Sequence, residues 1–149
     1  MFIRYTDATG RQFNLETTSG GHVARDVWMR EQAPMTDRAI ASGLYMRPLT
    51  RREAVADMAS TVVEYLIKVG RNEDAISVAD VILKNYPRNG YIMVKRGTAY
   101  GHLIHSEFDA KYPEPSLIPA ELQARYQLLM ERNAADFAAA EALGWQPDN

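Results

Sequence analysis

Residues 50–87 constrain the fold most tightly. Thr50-Arg51-Arg52-Glu53 reads as a capping box, in which the threonine hydroxyl accepts an orphan backbone amide and the glutamate reaches back to the cap. Val55, Met58, Ala59, Val62, Val63, Leu66 and Ile67 then recur at helical spacing, and Gly70 stops the helix. Residues 73–86 put Ala75, Ile76, Ala79, Ile82, Leu83 and Tyr86 on one face, and Pro87 closes that helix. Two amphipathic helices joined this tightly must lie antiparallel, burying their apolar faces on each other.

The same grammar continues downstream. Residues 90–105 predict a helix carrying Met93, Gly97, Tyr100 and Ile104. The proline-rich segment 106–119 interrupts the pattern and reads as a packed loop, because Phe108, Tyr112, Leu117 and Ile118 are poorly suited to water. An alanine-rich helix follows from about Pro119 to Gly144. Upstream, residues 2–6 and 11–16 alternate in the manner of paired strands around the turn DATG. Residues 23–32 and the Thr36-capped segment ending at Gly43 predict two short helices. "LYMRPL" crosses extended to Thr50, since Pro48 keeps Arg47 out of helical geometry. The expected fold is mostly α: antiparallel helical hairpins over 22–149, preceded by a small β-hairpin over 1–21.

Internal similarity sharpens this reading. Gly97 and Tyr100 lie 34 residues after Val63 and Leu66, and Ala135, Ala142 and Pro147 repeat the offsets of Ala75, Ile82 and Pro87. "YPRN" (86–89) and "QPDN" (146–149) end their helices alike. "GRNEDAISVADVILKNYPRN" resembles the tetratricopeptide repeat (TPR), with its glycine before the second helix, an early small residue and a terminal proline. Ile82 and Val63 stand where that repeat usually has small residues, and a second unit needs 106–119 as an insertion. The resemblance implies a stack of helical hairpins with a concave face for a peptide or partner helix.

The N-terminal residues carry a second resemblance. "FIRYTDATGRQFNLETTSGG" is similar to the end of the papain-like core of bacterial transglutaminase-like proteins, and "LYMRPLTRREAVADM" to the segment that leads some of them into TPR-like helices. The resemblance implies that Glu16 stands at the position of the acid that orients a catalytic histidine. The mechanism needs a cysteine thiolate and that histidine. The 149 residues contain no cysteine, and no histidine stands at the family position. Glu16 is then a vestigial triad acid, or one whose Cys and His lie upstream of this chain.

Other chemistry is weaker. Ser19 and His22 are neighbours on a turn, and triads are assembled from separate elements. His102 and His105 share one helical face, but a pair at a helix C-terminus is ordinarily solvated, so no metal is expected. Gly20-Gly21 lacks the spacing of a phosphate-binding loop, and no cofactor is implied. With 17 basic and 19 acidic residues, the chain shows no broad surface for nucleic acid or anionic membrane. No apolar run is long enough to span a bilayer.

These readings converge on a soluble, cytoplasmic, non-catalytic interaction module that binds a protein or peptide, with Tyr65, Arg71, Arg96 and Tyr100 as groove residues. The alternative is the C-terminal fragment of a transglutaminase- or cysteine-peptidase-like enzyme. A two-stranded hairpin without further partners would also favour a homodimer through its edge.

Overall fold

The computed structural model describes residues 2–16, 20–31 and 35–147. Three antiparallel strands open the chain in the order β1-β2-β3: β1 (Phe2–Thr6), β2 (Gln12–Glu16) and β3 (Val23–Ala24). β1 and β2 pair from Phe2↔Glu16 to Thr6↔Gln12, so the expected hairpin is present. The third strand was not expected. Gly20 and Gly21 both adopt positive φ (85° and 77°), a conformation that turns the chain back along β2. The Glu16 N–H then donates to the His22 carbonyl at 3.0 Å, and Val23 and Ala24 pair with Leu15 and Asn14. The predicted helix over 23–32 is accordingly shorter, α1 (Asp26–Glu31). Arg4 fastens sheet to helix, donating to Asn14 Oδ1 and to Asp26 Oδ1, both at 2.9 Å.

Helices make up most of the remainder: α2 (Asp37–Ala41), α3 (Arg51–Met58), α4 (Ser60–Lys68), α5 (Asn72–Asn85), α6 (Gly90–Ile104) and α7 (Ala120–Ala142). Thr36 caps α2, and the Thr50–Glu53 capping box forms as the sequence predicts. The expected single helix after Thr50 is broken at Ala59. There the Ser60 and Thr61 hydroxyls donate to the carbonyls of Asp57 and Met58, competing with the backbone ladder. Segment 106–119 is less of a loop than expected. α6 runs on through a π-helical turn (His105–Asp109), and a 3₁₀ turn follows at Pro115–Leu117. The wider turn swings Phe108 inward, where it meets the Tyr126 ring edge-on at 5.2 Å between centroids.

Two apolar clusters hold the helices together. One joins α3, α4 and α5 to the start of α6 through Ala56, Val63, Leu66, Ala75, Ile82 and Ile92. The other joins the end of α6 to α7 through Ile104, Phe108, Ile118 and Leu129. Gly97 lets α6 and α7 approach closely, since a Cβ there would lie 2.9 Å from Phe137 Cε2. The repeat is only partly visible in burial. Ala75 and Ile82 are buried, whereas Ala135 and Ala142 are exposed, and α7 buries Leu129, Asp136 and Ala140 instead.

The end of α7 folds back onto α2. Thr36 Oγ1, Arg38 Nη2 and Ser42 Oγ donate to the carbonyls of Gly144, Ala142 and Leu143 at 3.2, 3.2 and 2.5 Å. Gly144 has φ +95°, and a Cβ on it would lie 2.7 Å from the Ala39 backbone nitrogen. Neither the strain nor that clash can relax through a side chain. Gly144→Ala should therefore destabilise the protein by about 2 kcal/mol, a melting-temperature loss of about 4–8 °C in a thermal melt.

Candidate functional site

A groove of about 630 Å³ lies between the sheet and the helices. That is within the range of clefts that hold ligands, about 300–1,000 Å³. Leu44, Leu49, Tyr86 and Tyr91 form its apolar wall, and Ile3, Thr6 and Gln12 border it from the sheet. Three of the chain's seven methionines, Met29, Met35 and Met46, line it as well.

Local chemistry builds this wall. α2 stops at Gly43, and the Leu44 N–H donates to the Ala39 carbonyl at 2.9 Å, which turns the chain toward α6. Leu44 seats against Gly90, where a Cβ would come within 2.6 Å of Leu44 Cδ1. Met46 is the one non-glycine residue with positive φ (64°) among the described residues. Such strain persists only where its surroundings enforce it, and it gathers at binding sites.

Arg47 supplies the enforcement. Its guanidinium donates to both Glu53 oxygens, at 2.6 and 3.1 Å, and stacks 5.0 Å from the centre of the Tyr86 ring. Its Nε is buried without a hydrogen-bond partner. The hydrogen bonds from Arg47, joined by that from the Thr50 N–H, hold the Glu53 carboxyl down at about 2. Burial pushes the Tyr86 hydroxyl up. At the α6 end, Asn89 caps Ile92 at 3.1 Å and donates to Asp57 Oδ1 at 3.1 Å, which fixes α3 to α6 beneath the groove.

The sequence-derived groove residues lie elsewhere. Tyr65 is exposed on α4, and Arg71 is paired with Asp74 at 2.7 Å. Arg96 is held between helices: Nε and Nη2 donate to Asp136 on α7 at 2.9 and 2.6 Å, and Nη1 to Asp80 on α5 at 2.5 Å. Those bonds, Asp136's first, push the Arg96 guanidinium still further above its ordinary range. Tyr100 packs beside the Ile104–Phe108 cluster, and burial raises its hydroxyl pKa. None of the four lines the groove.

Glu16 ends β2, half-buried, opposite Phe2. His22 is exposed, and Ser19 lies outside the described residues. His102 is exposed, and His105 sits 4.0 Å from Asp109. Among the described residues no three His, Asp or Glu side chains gather as a metal site. Nor is any helix there long and apolar enough to cross a membrane. No protein-family model matches the chain, and neither a curated protein nor a solved structure matches it.

Two measurements check these assignments. Asp136 is buried at 4% exposure, so Arg96→Met strands a carboxylate and should cost about 3–5 kcal/mol. Arg96→Met combined with Asp136→Leu should recover most of that in denaturant titrations, as expected of an internal brace. For Glu53, the folded pKa lies below the unfolded one, so its contribution is complete above about pH 4.5 and fades as pH falls toward 2. Glu53→Gln should cost about 2 kcal/mol at neutral pH, with the two melting curves converging near pH 2.

Proposed function

We propose that the protein is a non-catalytic binding module that holds a short apolar segment of a partner protein in the groove between its sheet and its helices. The observation that carries this reading is the composition of the groove wall. Met29, Met35 and Met46 line it together with Tyr86 and Tyr91. Unbranched, polarizable thioethers repack around varied side chains, which suits a surface for apolar peptide residues. The polar side chains Arg47 and Asn89 that line it are already paired within the framework, with Glu53 and Asp57.

The scaffold in this reading is TPR-like. Successive helices pair as α4 with α5 and α6 with α7. Val63 and Leu66 belong to the core that α4 shares with α5, and 34 residues on, Gly97 faces α7. Unlike the concave face of a repeat stack, the proposed seat lies where the first helices meet the sheet.

Methionine-methyl NMR tests the reading. Short peptides with Leu, Phe or Met at alternate positions should shift the methyl signals of Met29, Met35 and Met46, leaving Met93 and Met130 in place. Tyr91→Asp, at a half-exposed position, should weaken binding by about tenfold or more with the melting temperature unchanged. The proposal fails if no such peptide moves the three signals, or if Tyr91→Asp leaves the affinity intact.

A further inference from the structure

A second apolar surface lies outside the groove. Val55, Met58, Val62, Tyr65 and Val69 follow one another at intervals of 3, 4, 3 and 4 residues along α3 and α4. All five are exposed, by 47–68%. Ala59 keeps right-handed helical angles (φ −70°, ψ −9°), so the stripe continues across the break. Fourteen steps of uninterrupted helix would extend about 21 Å, an upper bound given the turn at Ala59. An alternating 3-4 spacing averages 3.5 residues, the period of a coiled-coil seam. The core-facing side of the same helices is separate, formed by Ala56, Val63 and Leu66. Among the described residues, these five large apolar side chains in heptad register belong to neither of the two apolar clusters.

The surrounding charges select what covers them. The acids of this segment are engaged by their own chain: Glu53 by Arg47, Asp57 by Asn89, and Glu64 by Lys95 at 3.9 Å. Arg51 at one end of the stripe and Lys68 at the other are exposed and have no ion-pair partner among the described residues. A second copy in parallel would set Arg51 against Arg51 and Lys68 against Lys68. An antiparallel copy would set Arg51 against Lys68. Both orientations bring cation to cation. A lipid surface is disfavoured too, because the seam is narrow and Glu64 remains half-exposed along its flank.

We infer that the α3–α4 stripe is a docking seam for an amphipathic helix of a partner protein, one with apolar residues in heptad register and carboxylates near both ends. None of the five stripe residues lines the peptide groove, although α3 carries residues of both surfaces.

The test uses the full chain and two synthetic helices of about three heptads, with Leu at the seam positions and either Glu or Lys at the flanks. The acidic helix should shift the Met58 methyl signal and bind at least about tenfold more tightly than the basic one. Met29, Met35 and Met46 should stay in place, so failure here is distinguishable from failure of the groove reading. Val62→Glu and Tyr65→Glu, both at exposed positions, should abolish binding without lowering the melting temperature. The double variant Arg51→Glu, Lys68→Glu should reverse the preference toward the basic helix. Equal affinity for both helices, or an unmoved Met58, would overturn the inference. So would a dimer in sedimentation equilibrium that Val62→Glu dissociates, or Val62-dependent binding to phosphatidylcholine–phosphatidylserine vesicles.

Discussion

The buried carboxylate of Asp136 has to be neutralised, and Arg96 does it from the neighbouring helix. That pairing sets the register of α7 against α6, and the third hydrogen bond of Arg96, to Asp80, brings α5 into the same arrangement. Apolar burial alone would hold these helices together without fixing how far one slides along the next. A bidentate guanidinium–carboxylate contact has one geometry and fixes it. Gly97, one residue beyond Arg96, then lets α7 come close enough for that contact. Everything distal to α7 follows from its position. Its last carbonyls receive Thr36, Arg38 and Ser42, which fixes α2. From α2 the chain passes through Gly43 to Leu44, the first wall of the groove. The groove therefore depends, through α7 and α2, on a partly buried ion pair between α6 and α7.

What could be read in the sequence was local. Thr36, Thr50 and the helix-stopping glycines act within a turn of their own position, so the residue types were sufficient. β3 escaped notice because two residues carry no periodicity, and it exists only because two glycines return the chain to β2. The break at Ala59 had a signal in Ser60-Thr61, whose hydroxyls can bond back into the helix, but a strong apolar period masked it. The π turn had none. It arises because Phe108 must reach a cluster on α7, and that partner lies far along the chain.

The site was illegible for a stronger reason. Arg96 looked available because its two acids come from other helices, 16 and 40 residues away. The groove gathers its wall from the sheet, α1 and the segment after it, the stretch 44–49, which bends at 44–46 where the sequence predicts an extended crossing, and the start of α6. No window of sequence contains it. Only "LYMRPL" hinted at it, and there the sequence suggested a mere crossing between helices. Its role comes from Glu53, whose carboxylate closes the capping box and also receives Arg47. Helix start and groove floor are one hydrogen-bonded unit, so the feature that most clearly announced a helix also shapes the site.

The two apolar surfaces differ in what they can discriminate. The groove wall is rich in methionine, whose side chains conform to their guest, so shape is a weak filter and apolarity a strong one. The α3–α4 stripe uses Val55, Val62 and Val69 at alternate seam positions, and β-branched side chains on a rigid helix do not conform. A partner must there match a period and place its charges where Arg51 and Lys68 await them. A fold held rigid by internal ion pairs can present both kinds of surface at once. The adaptable one sits where the backbone is strained at Met46, and the exacting one along helices closed by a capping box and a glycine stop. Loosening Arg96 would disturb the groove through α7 and α2. The stripe would keep its register, because its residues share a single stretch of chain.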